Sequence, residues 1–240
     1  MVDFHSHILP GVDDGAENIE ESVKLLNMLK EQGVTDVFAT PHFYPHIQSA
    51  EDFLSGREEA RKELMDSIKG MDLPKIHIGC ELFYFDDMGK IGDIRPFTLE
   101  GSRYILLELN MSRVTDKVVA TVENLCEMGF VPVFAHIERY LGFSGIKRIL
   151  KFIEQERCFA QVNASAIADG GITARRIYKL IKKGYIYLVG SDTHSVAERP
   201  PQIEKAYNLI ALNCGEEYKT KLMENSRRLC CRILGESYEE

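Results

Sequence analysis

Five of the seven histidines in the chain stand at the ends of short runs of apolar and β-branched residues. Acidic residues stand at the ends of other such runs and in the loop after the first. Imidazole nitrogens and carboxylate oxygens together bind Mn, Fe or Zn, whereas Ca and Mg prefer oxygen ligands alone. The candidate metal ligands are His5, His7, Asp14, His42, Glu81, Glu108, His136, Asp192 and His194.

Nine candidate ligands are too many for one ion, which takes about four to six protein or water ligands. The set suits two or three divalent ions, with Glu81 or Glu108 as a bridge between neighbouring ions. His5 and His7 lie two residues apart on an extended segment, so their side chains point the same way. A centre of this kind activates water and stabilises charge on a phosphoryl group, which predicts phosphoester hydrolysis.

Two arginines stand close to these ligands. Arg139 follows His136 by three residues, and Arg199 lies in the loop after His194. A guanidinium group binds phosphate oxygens through charge-assisted hydrogen bonds, so both are candidate catalytic residues, Arg139 being the stronger. The alternative for Arg139 is an ordinary salt bridge.

The elements that position these residues alternate along the chain. Strands are predicted at residues 2–5, 35–40, 75–80, 104–109, 131–135, 159–163 and 186–190. Helices are predicted at residues 18–32, 52–69, 115–128, 146–155 (with Ser144 as N-cap), 172–183, 203–212 and 216–234. Such alternation predicts parallel βα units with right-handed crossovers.

Short, evenly spaced strands without a GxGxxG turn favour a closed barrel over an open doubly wound sheet. We therefore expect residues 1–240 to form a single α/β domain, a distorted TIM-like (β/α)7 barrel. The carboxyl ends of barrel strands meet at one mouth, where active sites lie. That mouth would collect the nine candidate ligands.

Composition excludes several classes of function. The chain has 29 Lys+Arg and 37 Asp+Glu, a net charge of -8, which disfavours a nucleic-acid surface. We find neither a signal peptide nor an apolar run long enough for a membrane span. The six cysteines show no CxxC spacing, which favours reduced thiols in a cytoplasmic protein.

The motifs resemble those of a known superfamily. HSH after the first strand, TPH after the second, a glutamate after the third, HIER after the fifth and SDTH after the seventh are similar to the PHP (polymerase and histidinol phosphatase) superfamily. The wording DFHSHILPGVDDG, ATPHFYP, AHIERY and GSDTHS resembles a narrower group, the bacterial manganese-dependent tyrosine-protein phosphatases of capsule and exopolysaccharide synthesis. The resemblance runs from Asp3 to about Pro201.

The resemblance implies three metal positions, Mn being the expected metal. It implies that phosphate binds near Arg139 and Arg199, and that the substrate is phosphotyrosine in the tail of a bacterial tyrosine kinase. The implied ligand sets are His5, His7, Glu81 and Asp192; Glu81, Glu108 and His136; and Asp14, His42 and His194.

Other functions stay open as alternatives. A small-molecule phosphatase, such as one for histidinol phosphate, fits the superfamily but is disfavoured by HILPGVDDG. An amidohydrolase is disfavoured because the fourth strand carries Glu108 and no lysine. A metal-binding module without catalysis is disfavoured because all nine ligand positions are filled. No cysteine is followed by arginine six residues later, so a cysteine-dependent phosphatase is excluded.

Several polar residues near these motifs have simpler interpretations. We expect His46 and His77 to be structural, Asp13 to cap the turn before Gly15, and Glu138 to lie near the ligands or on the surface.

Overall fold

The computed structural model describes residues 1–86, 88, 93–109 and 113–238, and within them nine strands alternate with eight α-helices. The strands are β1 (Val2–Ser6), β2 (Asp36–Ala39), β3 (His42–Phe43), β4 (Lys75–Ile78), β5 (Glu81–Phe83), β6 (Tyr104–Glu108), β7 (Val131–Phe134), β8 (Phe159–Asn163) and β9 (Leu188–Gly190). The helices are α1 (Ile19–Glu31), α2 (Ala50–Ser67), α3 (Asp116–Glu127), α4 (Ile146–Glu154), α5 (Ala164–Ala168), α6 (Gly171–Lys182), α7 (Ile203–Cys214) and α8 (Glu216–Leu234).

Seven of the nine strands correspond to the predicted ones, and the two short strands β3 and β5, which follow β2 and β4 after a break, lie beyond the predicted bounds and were missed. Pro41, which has no N–H to donate, lies between β2 and β3. Gly79 lies between β4 and β5, where a Cβ atom would collide with the Leu99 side chain. The prediction of a distorted TIM-like (β/α)7 barrel is confirmed. Both breaks lie near the carboxyl ends of the strands, where the mouth of the barrel is expected.

The strands form two parallel sheets that follow one another around the barrel. Their orders are β1-β2-β4 and β3-β5-β6-β7-β8-β9. The end of β9 returns to the end of β1, since the Asp192 N–H donates to the His5 carbonyl (2.8 Å) and the His7 N–H to the Thr193 carbonyl (2.9 Å). The strands therefore direct their carboxyl ends to a common mouth.

An irregularity in β1 changes which way its side chains point. Asp3 pairs with Val37, but Ser6 pairs with Ala39, so β1 carries one extra residue between these pairs. Such a bulge interrupts the alternation of side chains between the two faces of a strand. As a result Phe4 packs in the barrel interior, and the next residue, His5, also faces inward, at the mouth.

Side chains cap the amino-terminal ends of three of the eight described helices. Asn18, Ser49 and Thr115 each accept a hydrogen bond from a backbone N–H in the first turn of α1, α2 and α3. The prediction that Ser144 caps α4 was wrong. Gly145, with φ of 87°, occupies the N-cap position, and no side chain caps that end. Sequence analysis also missed the short helix α5.

No described helix is long and apolar enough to cross a membrane.

Two apolar layers hold the barrel together. The outer layer lies between the strands and helices α1 to α7 and includes Leu222 of α8. The inner layer, here called the floor cluster, closes the barrel opposite the mouth and includes side chains from α8. Its fully buried members include Phe4, Phe38, Leu106, Val133, Leu188 and Leu229, and Cys230 and Ile233 of α8 also belong to it.

Replacement of Leu229 by alanine tests whether α8 closes the barrel. Leu229 is completely buried in the floor cluster, so we expect Leu229→Ala to lower the free energy of unfolding by about 2–5 kcal/mol. Urea unfolding in the presence of chelator measures this without stabilisation by bound metal. Leu212→Ala, at a position that is 80% exposed in α7, should change it little. Equal effects of the two substitutions would contradict this role for α8.

Candidate metal centre

Glu81 lies at the centre of the barrel mouth. It is the first residue of β5 and is completely buried. Its Oε2 atom is 3.1 Å from Nε2 of His5 and 3.0 Å from Nδ1 of His42, and its Oε1 atom is 2.7 Å from Nε2 of His136. One carboxylate thus contacts imidazoles from three other strand ends.

The tightest group of donor atoms surrounds Oε2 of Glu81. Nε2 of His5 and Nε2 of His7 are 3.2 Å apart. Oδ1 of Asp192 lies 3.3 Å from the first and 3.5 Å from the second. All four residues are buried. Donor atoms around a single transition-metal ion have separations of this order, given metal–nitrogen and metal–oxygen bonds of about 2.0–2.2 Å.

The other five predicted ligands extend this group toward solvent. Nε2 of His136 is 3.6 Å from Oε1 of Glu108. Oδ1 of Asp14 lies 3.6 Å from Nε2 of His42 and 3.5 Å from Nε2 of His194. The structure therefore brings all nine predicted residues into one continuous cluster, in which Asp14 is the most exposed.

Two further groups of donor atoms overlap within this cluster. His7, Asp14, His42 and His194 place donor atoms within 4.8 Å of one another, and so do His42, Glu81 and Glu108. His7, His42 and Glu81 each belong to more than one group. Shared ligands are what closely spaced ions require, because a bridging group screens the repulsion between them.

Four imidazoles are oriented by a contact at Nδ1, which leaves Nε2 directed into the cluster. A metal-bound histidine commonly donates its other ring N–H to a carboxylate, a carbonyl or another polar group, and this fixes the ring. The four contacts are His5 with Oε1 of Gln161 (3.3 Å), His7 with Oδ2 of Asp13 (2.6 Å), His136 with the Tyr140 hydroxyl (3.0 Å) and His194 with the carbonyl of Asp192 (3.0 Å).

Sequence analysis missed most of these orienting residues. Asp13 does cap the turn, since Oδ1 accepts from the Gly15 N–H (3.0 Å), but its other oxygen also contacts His7 and accepts from the His42 N–H (2.8 Å). Gln161 is buried in β8, and only its amide among apolar neighbours could have signalled a polar role. Tyr140, four residues after His136, is completely buried, and its place in the sequence does not distinguish this contact from ordinary packing.

The electrostatics of the cluster favour positive charge at its centre. Burial opposes ionisation of Glu81, but attraction to His5 and hydrogen bonds from His136 and His42 hold its pKa well below the usual range. Burial and then the charge of Glu81 raise the pKa of Glu108 to about 7. Burial and then His7 lower the pKa of His194 to about 3. Divalent ions would supply positive charge to the two carboxylates, and the neutral imidazole that the low pKa of His194 implies is the form that binds a metal ion.

The residues present fit a metal centre. Nε2 of His194 is buried and has no hydrogen-bond partner among the described residues, the nearest carboxylate being that of Asp14 at 3.5 Å. Such atoms lose free energy unless a ligand satisfies them. His136 and Asp192 have φ of 34° and 52°, a left-handed conformation that is costly outside glycine and is common at functional sites.

Both predicted phosphate-binding arginines lie at the rim of the cluster. Nη2 of Arg139 and Nη2 of Arg199 donate to the same atom, Oδ2 of Asp192, at 2.9 Å and 2.7 Å. Asn163 donates to it as well (2.5 Å). Glu138 points to a neighbouring position, where it accepts from the Asn163 N–H (3.3 Å). The side chains of Arg139 and Arg199 are 34% and 41% exposed and therefore accessible to an anion.

Comparisons with known proteins find similarity over almost the whole chain. A family model described as "Capsular polysaccharide synthesis, CpsB/CapC" matches residues 1–230. The tyrosine-protein phosphatase CpsB of Streptococcus pneumoniae is 31% identical over 245 residues, which cover 95% of this chain and 98% of that protein.

Solved structures show the same fold. One, from work on YwqE of Bacillus subtilis and CpsB of Streptococcus pneumoniae, described as unique metal-dependent tyrosine phosphatases, matches with a TM-score of 0.83 at 24% identity, covering 100% of this chain and 96% of the other. Histidinol phosphate phosphatase of Lactococcus lactis, solved with zinc, L-histidinol and phosphate, matches with a TM-score of 0.54 at 16% identity, covering 88% and 93%.

Substitution of Asp13 tests the orienting contacts. We expect Asp13→Ala to weaken metal binding by about 10–100-fold, because His7 loses the carboxylate that fixes its ring. Competition between the metal-free protein and a chromophoric chelator measures the affinity. Asp66→Ala, which removes an exposed carboxylate paired with Lys69, is the matched control. Unchanged affinity in Asp13→Ala would show that the ring of His7 needs no such support.

Proposed function

Because the chain belongs to the capsular polysaccharide synthesis CpsB/CapC family, we propose that it is a metal-dependent phosphatase that hydrolyses phosphotyrosine in proteins. The observation that carries this proposal is the cluster around Glu81, where imidazoles and carboxylates from six strand ends converge beside two arginines. This combination provides sites for cations and for a phosphate anion in one mouth.

No cysteine nucleophile takes part in the proposed reaction. Cys80 is next to Glu81 in the sequence, but it is completely buried and its thiol donates to the Phe97 carbonyl (3.1 Å). Burial raises the pKa of Cys80 to about 12, so the thiol stays protonated at neutral pH. Hydrolysis therefore requires another source of a nucleophile, and water at the histidine and carboxylate cluster is the available one.

We assign the nine clustered residues as metal ligands for up to three divalent ions, with Mn favoured and Fe or Zn also compatible. The sets implied by the family resemblance assign His5, His7, Glu81 and Asp192 to the first ion. Bound ions would supply the Lewis acidity that makes water a nucleophile near neutral pH and the positive charge that a phosphoryl group needs. Glu81 contacts histidines of every set, which suits it to hold ions together.

Arg139 and Arg199 are proposed to bind the substrate phosphate. Both reach Oδ2 of Asp192, whose other oxygen faces His5 and His7. A phosphate at the rim can therefore accept from the guanidinium groups while it contacts the metal centre. Asp192 keeps both arginines directed to the mouth when no phosphate is bound.

An aromatic wall beside the mouth favours an aryl phosphate. The ring of Tyr44 stacks on His42 at 4.9 Å and lies 5.2 Å from the ring of Phe83. The Tyr44 hydroxyl donates to Oε2 of Glu108 (3.4 Å), which places the wall directly next to the predicted ligands. A phosphotyrosyl ring could pack against this wall with its phosphate in the mouth.

The finer parts of the proposal concern the substrate and the setting. We propose that residues 1–240 act as a single phosphatase domain in the cytoplasm. Its proposed substrate is a phosphorylated bacterial tyrosine kinase of capsule or exopolysaccharide synthesis, which is what the family resemblance implies and the family description supports.

The metal mechanism is tested by aryl phosphate hydrolysis with and without added Mn. We expect Mn-dependent turnover that falls at least about 100-fold in His136→Ala, since that residue contacts Glu81 and Glu108. Arg139→Ala should reduce kcat/KM by about 10–100-fold through loss of charged hydrogen bonds. Arg148→Ala, an exposed arginine paired with Asp116, is the control. Undiminished turnover in chelator and in His136→Ala would contradict the mechanism.

Substrate choice is tested by comparing phosphotyrosine peptide with histidinol phosphate under the same conditions. Higher kcat/KM for histidinol phosphate would support the small-molecule alternative. Metal binding without release of phosphate from either compound would support a binding module.

The aromatic wall generates a separate expectation. Tyr44→Ala should raise KM for a phosphotyrosine peptide by about 2–10-fold and leave an alkyl phosphate nearly unaffected, because only the aryl ring loses a packing surface. Tyr44→Phe keeps the ring and should behave as the parent protein. Steady-state kinetics of the three proteins decide this, and equal changes for both substrates would assign Tyr44 to support of Glu108 instead.

A further inference from the structure

A second group of metal-binding side chains lies at the opposite end of the barrel from the mouth. Asp36, His77 and Cys230 each offer a donor atom, and these atoms lie within 4.8 Å of one another. Nε2 of His77 is 3.0 Å from Oδ1 of Asp36. The three residues are far apart in the sequence, and the fold alone brings them together.

Three different elements position this group. Asp36 is the first residue of β2, and His77 lies in β4 beside Phe38, with the two rings 4.9 Å apart. Cys230 belongs to α8 and to the floor cluster, where it is 5% exposed. The donors therefore approach from two neighbouring strands on one side and from the closing helix on the other.

We propose that Asp36, His77 and Cys230 form a second metal site that binds one Zn²⁺ ion, with water as the fourth ligand. A carboxylate, an imidazole and a thiolate are all common zinc ligands, and tetrahedral zinc places neighbouring donors about 3.3–3.8 Å apart. Small side-chain shifts would bring the three donors to such distances. This site is independent of the proposed phosphatase function.

The surroundings of the three residues are compatible with an ion. The side chains of His77 and Asp36 are 11% and 21% exposed, so an ion and a water molecule can reach them from solvent. Burial and then the charge of Asp36 raise the pKa of Cys230 to about 12. The sulfur is therefore a thiol at neutral pH until a metal ion displaces its proton.

The proposed ion would attach α8 to the barrel. Cys230 lies next to Leu229, whose side chain seals the floor cluster, and Asp36 and His77 lie in strands that pair with each other. An ion held by all three would connect the helix to the sheet. The contrasting interpretation is an isolated hydrogen bond between His77 and Asp36, with Cys230 as a small packing residue.

Cobalt(II) distinguishes this site from the mouth by its ligand chemistry. A thiolate bound to Co²⁺ gives a charge-transfer band in the near ultraviolet, and none of the predicted mouth ligands is a cysteine. We expect titration of the metal-free full chain with Co²⁺ to produce this band, and Cys230→Ser to abolish it. His77→Gln should weaken the affinity measured at that band by at least about tenfold. Cys231→Ser, at the adjacent position in α8, should retain the band.

Each result bears on the proposal. A band that disappears in Cys230→Ser and weakens in His77→Gln, with Cys231→Ser unaffected, supports the site. Absence of the band in the parent protein, or equal intensity in Cys230→Ser, overturns it. Circular dichroism of each variant shows whether it is folded. His77→Gln, which replaces a partly exposed side chain, keeps the test decisive if Cys230→Ser fails to fold, since an unchanged affinity in His77→Gln then overturns the site.

Discussion

A carboxylate that is completely buried must be surrounded by positive charge or by hydrogen-bond donors, and Glu81 imposes this requirement on the whole barrel mouth. An unpaired charge in such a position would cost several kcal/mol. The barrel meets the requirement with imidazoles from β1, β3 and the segment after β7, which can only reach Glu81 if those strand ends converge. Closure of the sheet and assembly of the site are therefore the same event.

Support for the cluster extends outward in a second layer. Gln161 contacts His5 and also donates to Asn163, which in turn donates to Asp192. This chain of amides connects β8 to the segment after β9 within the buried interior. Asp192 joins the metal-ligand cluster to the residues around it, since one of its oxygens faces histidines and the other faces arginines. The charge state of the cluster and the position of the arginines are thereby coupled through one side chain.

Much of this arrangement could be predicted because strand ends carry a strong signal. Histidines and carboxylates that follow apolar runs identify the mouth, and glycines directly after helical patterns, such as Gly33, Gly129 and Gly184, identify the ends of several helices. The Asp13 contact with His7 could not be predicted, because turn capping alone explains an aspartate two residues before glycine. Gln161 could not be assigned either, since its role depends on β7 and β9 as neighbours. The break at Gly79 depends on its close contact with Leu99, which the sequence does not show. Gly145, with φ of 87°, and not Ser144 occupies the N-cap position of α4.

The extra residue in β1 divides that strand into two parts, and the alternation of inward and outward side chains differs between them. Before the bulge the inward positions serve packing, as Phe4 does against Phe38, and after it they serve chemistry, as His5 and His7 do. Substitutions in the first part can therefore alter the floor without rotating either imidazole. A deletion of one residue would instead place the histidines on the wrong face, whatever the remaining residues are. The length of this segment, more than its composition, is the property that the site requires.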